Sequence, residues 1–162
     1  MSESLQNTFM NEIQENEAII HKVIGLYVDA EEDKKDLYQE VLLQAWKSYP
    51  NFIRASKFST WLYKVALNTV FSFNKKTKNK TTQEIQEKNI SVVKSDKEDY
   101  EILYAIIKNL NPVDRMIMSL HMDGYKNNEI AEIIGIDPNH LNVKIHRIKG
   151  NVISSFKKVD HV

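Results

Sequence analysis

The tightest restriction on the fold comes from a short apolar stretch, a glycine and a proline that follow one another near the end of the chain. Apolar residues recur at helical spacing from about Asn128 to Ile134, and Gly135 can adopt the left-handed conformation that ends a helix. Asp137 can cap the next helix, and Pro138 suits its first turn. The sequence therefore predicts two helices joined by a tight turn.

The second helix of this pair has one apolar and one polar face. Steps of four, three and four residues place its apolar side chains inward: Leu141, Ile145, Ile148 and Val152. The outward or flanking positions are Asn139, His140, Asn142, Val143, Lys144, His146, Arg147 and Lys149. Asparagine can pair with adenine, and arginine or lysine with guanine or phosphate, so this face suits the major groove of DNA. A helical hairpin that only packs is the alternative.

Charge is unevenly distributed, although the net charge is zero. Residues 1–50 carry 4 basic and 10 acidic side chains, whereas residues 51–80 carry 7 basic and no acidic ones. From Pro138 onward the chain has 5 basic residues and 1 acidic residue. Because DNA responds to local positive potential and not to an average, two separate basic stretches predict two DNA contacts.

A polar segment at about residues 75–94 divides the 162-residue chain, since it has few large apolar residues and no sustained periodicity. We expect domains at 1–78 and 98–162, with residues 79–97 as the linker. The first domain has helical spacing in two segments, at Ile13, Ile20, Val23, Ile24 and Tyr27, and then at Tyr38, Leu42, Ala45 and Tyr49. A third helix should follow at about Thr60 to Phe73.

The second domain begins with a possible capping box at Ser95 and Glu98. An apolar stripe follows at Ile102, Leu103, Ile106, Ile107 and Leu110, and Asn111 with Pro112 can start the next helix. No strand-like alternation is found. The predicted class is all-α: two small helical domains joined by a flexible linker, the second a tetrahelical, winged-helix-like domain with the helix-turn-helix.

Several classes of function are excluded or disfavoured. The chain has no cysteine, so it has no disulfide, thiolate metal site or cysteine nucleophile. Phosphate-binding glycine loops, zinc-protease motifs and nucleophile elbows are missing, which argues against an enzyme. His140 and His146 are six residues apart, where metal ligands on one helix need three or four, so we expect no metal and no cofactor. The acidic N-terminal segment and the lack of an apolar span predict a cytoplasmic protein.

Two stretches of the first domain, DLYQEVLLQAWKSYPNF and KFSTWLYKVALNTVFSFNKK, closely resemble region 2 of bacterial sigma factors, and the helix-turn-helix resembles region 4. The order of these motifs is specific. The resemblance implies the two-domain extracytoplasmic-function class, whose first domain binds core RNA polymerase and opens the minus-ten element of promoter DNA. The second domain reads the minus-35 element. A membrane-tethered anti-sigma partner, and no small-molecule substrate, are also implied.

The resemblance implies polymerase contacts on the second helical segment. Asp36, Gln39, Glu40, Leu43 and Lys47 share one helical face, which would otherwise be only a solvated surface. The implied contacts are Asp36, Gln39, Glu40, Leu43 and Trp46. Trp46 can instead belong to the core, because a large ring beside Leu42 and Ala45 is commonly buried.

Minus-ten contacts are implied for the loop and for the helix after it. Rings stack on unpaired bases, cations contact phosphates and amides bond base edges, and the third helix carries all three groups. The predicted residues are Asn51, Arg54, Lys57, Trp61, Lys64, Asn68, Lys75 and Lys76. The loop from Asn51 to Lys57 corresponds to the family's loop that captures a flipped base. Phe58 and Leu62 should pack beneath, and Trp61 can itself be core.

The chain departs from the family pattern at the recognition helix. Asn139, His140 and Leu141 stand where Gly-Thr-Val is frequent, and Lys144 stands where arginine is common. The minus-35 sequence it prefers is therefore open. Two rival functions are a dimeric helix-turn-helix regulator that works without polymerase and a protein-interaction module whose basic stretch is only a solvated face.

Overall fold

The computed structural model describes residues 3–78 and 96–160, and the chain divides into two compact units, Met1–Thr82 and Gln83–Val162. Unit 1 contains α1 (Glu3–Glu15), α2 (Glu17–Tyr27), α3 (Glu31–Ser48), a 3₁₀ turn (Tyr49–Asn51) and α4 (Phe58–Lys78). Unit 2 contains α5 (Asp96–Lys108), α6 (Pro112–Met122), α7 (Asn127–Ile134) and α8 (Pro138–Asp160). The predicted all-α class with two helical domains is confirmed. The described residues include no strand, and hence no β-hairpin wing.

Residues 79–95 of the expected linker lie outside the described residues, and they include Ser95 of the expected capping box. Asp96 and Lys97, which we placed in the linker, begin α5. Lys75 to Lys78, which we took as the start of the polar connection, belong to α4. The α4 sequence contains neither glycine nor proline, and its lysines favour helix, so nothing stops it at Phe73 as we expected.

The first helical segment, predicted as one pattern from Ile13 to Tyr27, is broken at Asn16 into α1 and α2. Asn16 has φ −119° and ψ 14°, and its side-chain nitrogen donates to the carbonyl oxygen of Glu12 at 2.8 Å. An asparagine side chain that bonds nearby backbone competes with continuous helix, which accounts for the break.

The buried side of the second helical segment agrees with the prediction at Ala45 and Tyr49 and differs from it in the first half of α3. Leu37, Val41 and Ala45 are fully buried, whereas Tyr38 and Leu42 are only half-buried. Tyr38 lies at the edge of this face because its hydroxyl donates to Glu17 at 2.8 Å and its ring stacks on His21. The core of unit 1 forms where α2 and α3 pack against α4.

Unit 2 is built around α8, which packs against each of the other three helices. Helix α6 begins as predicted, because the Asn111 side chain accepts a hydrogen bond from the backbone N–H of Asp114 at 3.0 Å and Pro112 occupies the first turn. Ile102, Ile106 and Ile107 are buried on α5, whereas Leu103 and Leu110 are half-buried.

Candidate nucleic-acid interface

Helix α8 exposes most of the polar face that the sequence predicts. The exposed members are Asn139, His140, Asn142, Val143, His146, Arg147 and Lys149, while Lys144 is half-buried. The apolar side is buried as predicted, at Leu141, Ile145, Ile148 and Val152. The exposed face is therefore available to a groove while the core of unit 2 stays intact.

Helix α7 and the turn after it position α8. Gly135 has a φ of 82°, which confirms the left-handed end of α7 and would strain any larger residue. Asp137 Oδ1 accepts from the backbone N–H of Asn139 at 2.8 Å, which confirms the cap of α8. Asn127 Nδ2 donates to Asn142 Oδ1 at 2.7 Å, so α7 also orients an amide on the exposed face.

Asp114 of α6 lies beside two cations of α8, and it is absent from the residues predicted from the sequence. Its carboxylate is buried, with Oδ1 3.8 Å from Lys144 Nζ and Oδ2 3.9 Å from a guanidinium nitrogen of Arg147. Asn111 Nδ2 donates to the same Oδ2 at 2.8 Å. Asn111 and Asp114 are three residues apart, as in a capping pair, and this spacing was the one sequence signal that could have drawn attention to Asp114.

Helix α3 exposes the predicted polymerase face. Asp36, Gln39, Glu40 and Leu43 are all exposed. Trp46 is half-buried, and its ring packs against Phe9 of α1 with centroids 5.0 Å apart. Trp46 therefore belongs partly to the core, and part of its side chain stays at the surface.

Helix α4 carries the predicted minus-ten residues at different depths. Asn68, Lys75 and Lys76 are exposed, whereas Trp61 and Lys64 are half-buried. Phe58 and Leu62 are buried, as predicted. A groove of about 590 Å³ runs between α3 and α4, and its lining includes Asp36, Glu40, Asn68 and Lys76. The structure thus brings members of the predicted polymerase set and of the predicted minus-ten set to one groove.

The loop between α3 and α4 is attached to α1 by Arg54. Its guanidinium donates to both carboxylate oxygens of Glu12, at 2.7 and 3.1 Å, and to the Tyr49 hydroxyl at 3.2 Å. Tyr49 in turn donates to Glu12 at 2.7 Å. The guanidinium also lies 5.2 Å from the ring centre of Phe52. Arg54, predicted as a DNA contact, is therefore already engaged within unit 1. Asn51, at the end of the 3₁₀ turn, and Lys57, in the loop, are exposed.

A cluster of aromatic rings packs between the loop and the start of α4. Trp61 packs against Phe52 and Phe58, with centroids 5.0 and 5.3 Å away. Because Trp61 is half-buried, it contributes to this cluster and still keeps part of its ring at the surface.

The carboxyl of Glu12 has its pKa lowered from the ordinary value of 4.5, first by the hydrogen bond from Arg54 and then by that from Tyr49, against the opposing effect of burial. The folded state thus favours the carboxylate, so this group stabilises unit 1 above pH 4.5 and loses its contribution as the pH falls through the lowered value.

We expect Glu12→Gln to lower the melting temperature of unit 1 at neutral pH, and the difference in melting temperature from the unchanged chain to narrow as the pH falls below 4.5. Thermal unfolding followed by tryptophan fluorescence measures this, since both tryptophans lie in unit 1. Glu15→Gln, an exposed position on the same helix, serves as the control. A gap of constant size at both pH values would contradict the assignment.

No cluster of metal-ligating side chains occurs among the described residues. Within residues 3–78 and 96–160, no helix is long and apolar enough to span a membrane. What the geometry offers is an exposed acidic face on α3, an amide and cationic face on α4, and an exposed recognition helix in the second unit. These features define a two-domain helical protein that carries a helix-turn-helix.

Comparisons with known proteins extend this description to a family. Residues 13–79 match Sigma-70 region 2, and residues 100–151 match Sigma-70, region 4. The chain belongs to the sigma-70 family of RNA polymerase sigma factors.

Individual relatives agree with this family. The chain is 51% identical over 37 residues to the ECF RNA polymerase sigma factor SigG of Mycobacterium tuberculosis, covering 23% of this chain and 10% of that protein. It is 33% identical over 85 residues to the ECF RNA polymerase sigma-E factor of Haemophilus influenzae, covering 51% of this chain and 41% of the relative. The matched segments thus span less than half of the length of these relatives.

The fold agrees with a solved sigma factor. The sigma factor RpoE from Bartonella quintana, in complex with the anti-sigma factor NepR, superimposes with a TM-score of 0.67 at 18% identity. The match covers 96% of this chain and 98% of that one. At this level of identity the likeness supports the fold.

Proposed function

We propose that this chain is a sigma factor that binds core RNA polymerase and directs promoter-specific initiation of transcription. The observation that carries the proposal is the presence, on one chain with both sigma-70 regions, of an exposed recognition helix in unit 2 and an exposed amide and cationic face in unit 1. The catalytic steps then belong to the polymerase, and this chain contributes no reacting group.

Unit 2 supplies the upstream contact in this proposal. The α8 face would enter the major groove at the minus-35 element, where Asn142 and Arg147 offer bidentate bonds to base edges. Val143 is 68% exposed, and its methyl groups can pack on the methyl group of a thymine. Lys149, His140 and His146 would contact phosphate.

Unit 1 supplies the downstream and polymerase contacts. The exposed α3 residues Asp36, Gln39, Glu40 and Leu43, with the open part of Trp46, would bind the polymerase. The minus-ten element would lie along α4, where Asn68 bonds base edges and Lys64, Lys75 and Lys76 neutralise phosphates. We place the polymerase and minus-ten roles in residues 1–78 and the minus-35 role in residues 98–162.

Regulation and location follow the same proposal. RpoE of Bartonella quintana is seen with an anti-sigma factor, and CnrH, a second solved structure that matches this fold, is seen with the cytosolic domain of CnrY. We therefore propose that an anti-sigma partner, tethered to the membrane, controls this chain. The place of action is then the cytoplasm, where polymerase and DNA are found.

Run-off transcription with purified core polymerase and a library of promoter templates tests the function. We expect transcripts that depend on this chain and that start within a subset of templates sharing two separated sequence elements. Core polymerase alone provides the background. Binding by the free chain to a palindromic site, with no chain-dependent transcript from any template, would instead support the dimeric regulator.

A further inference from the structure

Asp114 places a buried negative charge next to the DNA-facing side of α8. It is the only buried acidic residue in the part of the chain that the structure describes, and its side chain is 10% exposed. Asn111 Nδ2 donates to Oδ2, but Oδ1 is buried and accepts no hydrogen bond from the described residues. A buried carboxylate that is incompletely hydrogen-bonded is costly, so this position depends on the cations beside it.

The two cations beside this carboxylate differ in exposure. Lys144 Nζ lies 3.8 Å from Oδ1, and its side chain is 24% exposed. A guanidinium nitrogen of Arg147 lies 3.9 Å from Oδ2, and the Arg147 side chain is 59% exposed. Both distances are longer than a hydrogen bond, so the attraction is electrostatic. Because such attraction is stronger where water is excluded, Asp114 holds Lys144 more firmly than Arg147.

The difference in exposure affects how the two cations can act on DNA. Contacts from lysine or arginine to phosphate raise affinity for any sequence and carry no sequence information. An arginine directed at a base edge, in contrast, discriminates between sequences. A carboxylate that retains the lysine and leaves the arginine exposed therefore lowers sequence-independent binding more than sequence-specific binding.

We propose that Asp114 sets the specificity of the minus-35 contact, by holding Lys144 back from the phosphate backbone and orienting Arg147 toward a base edge. The inference rests on the proposed function and deepens it. Asp114 is a positioning residue, and Arg147 is the residue that reads the base. Lys144, which the sequence predicted as a DNA contact, reaches phosphate only when Asp114 is changed.

A purely structural role for Asp114 makes different predictions. Asp114 lies in the first turn of α6, where an acidic side chain also stabilises the helix. Losing that role would lower the melting temperature of unit 2 and leave the salt dependence of DNA binding unchanged. The slope of log affinity against log salt concentration reports how many phosphates are neutralised, so it separates the two roles.

The first experiment measures closed-complex formation by the holoenzyme at low temperature, between about 50 and 200 mM salt. The templates are a promoter selected by the unchanged chain and the same promoter with a scrambled minus-35 element. Asp114→Asn keeps the shape of the side chain and an oxygen for Asn111. We expect it to steepen the slope by about one and to reduce the preference for the selected promoter about fivefold. Glu101→Gln removes the same charge from an exposed position on α5 and should change neither quantity.

Second substitutions assign each effect to its cation. In a Lys144→Gln background, Asp114→Asn should no longer steepen the slope, because the cation that it releases is missing. In an Arg147→Gln background, Asp114→Asn should no longer reduce the preference, because no guanidinium remains to be oriented. A general effect of the lost charge would persist in both backgrounds.

Single lysine variants test the inference even if Asp114→Asn fails to fold. Lys144→Gln should leave the slope unchanged, whereas Lys149→Gln, at an exposed position on the same helix, should make it shallower by about one. Melting followed by circular dichroism shows whether unit 2 is folded in each variant.

The outcomes are distinguishable. The inference is overturned if Lys144→Gln makes the slope as shallow as Lys149→Gln does, if a folded Asp114→Asn variant changes neither quantity, or if either effect persists without its cation. The proposed function stands in these cases, since the unchanged holoenzyme still selects its promoter. If the unchanged holoenzyme selects no promoter, both are overturned. A slope that steepens only with Lys144 present, and a preference that falls only with Arg147 present, would establish the role of Asp114.

Discussion

Replacing Lys64 by glutamate is expected to slow promoter opening at least about tenfold, while closed-complex binding changes by less than about threefold. Lys64 is half-buried on α4, one turn before the exposed amide of Asn68. Reversing its charge places an anion along the path proposed for the unpaired strand. Asn68→Ala should act in the same direction, because it removes donors and an acceptor for a base edge but adds no charge.

Arg147→Gln should have the opposite pattern of effects, weakening closed-complex binding more than promoter opening. We expect about a tenfold loss in closed binding at the minus-35 element and little change in the opening rate once the complex has formed. Glutamine is a better replacement than glutamate for this test, because Asp114 Oδ2 lies 3.9 Å from the Arg147 guanidinium. A second carboxylate beside Asp114 would also destabilise unit 2.

Band-shift measurements at low temperature give closed binding, and 2-aminopurine fluorescence gives opening. Glu132→Gln, an exposed position on α7 outside the proposed contacts, serves as the control. Equal effects of Lys64→Glu, Asn68→Ala and Arg147→Gln on both steps would refute the separation of roles between the two units.

Leu141→Ala is expected to unfold unit 2 and leave unit 1 folded. Leu141 is fully buried, and truncating such a side chain costs about 2–5 kcal/mol. A helical unit of this size has a net stability of only about 3–5 kcal/mol, so the loss is comparable with the whole. Val143→Ala, two residues along the same helix and 68% exposed, should leave the melting temperature unchanged.

The chain offers a direct way to follow each unit. Both tryptophans, Trp46 and Trp61, lie in unit 1, so their fluorescence reports that unit alone, whereas circular dichroism reports helix in both. For Leu141→Ala we expect a loss of helical signal with an unchanged fluorescence transition. A shift of the fluorescence transition by as much as the helical signal would show that the two units unfold together.

Local signals in the sequence were sufficient for much of unit 2. Gly135, Asp137 and Pro138 define the turn through backbone preferences that act over a few residues. The spacing of Leu141 and Ile148 identified the buried side of α8, because a helix packed along one side leaves a regular apolar pattern. Such features depend little on distant parts of the chain.

Features that depend on distant contacts were not predictable in this way. In the first half of α3 the prediction chose the neighbours of the buried residues, because the apolar stripe there is wide enough for either choice: Leu37, Tyr38, Val41 and Leu42. Packing against α2 and α4 decides between them. Glu12 pairs with a residue 42 positions later, and no local pattern reveals this.

The burial of Asp114 could not be predicted from the sequence for the same reason. Its neighbours Lys144 and Arg147 come from α8, about thirty residues along the chain. From the sequence, Lys144 and Arg147 differ little as candidate DNA contacts. In the fold, the buried carboxylate lies close to both, and Lys144 is half-buried whereas Arg147 stays exposed.

The most direct test locates each surface on an initiation complex. The chain has no cysteine, so Leu43→Cys, Lys75→Cys and Val143→Cys each provide a single site for a photo-cross-linker. With core polymerase and a selected promoter, we predict cross-links from position 43 to polymerase, from 75 to the segment that melts, and from 143 to duplex upstream of it. Cross-links from 75 and 143 to the same DNA element, or none from 43 to polymerase, would contradict a sigma factor that works in this way.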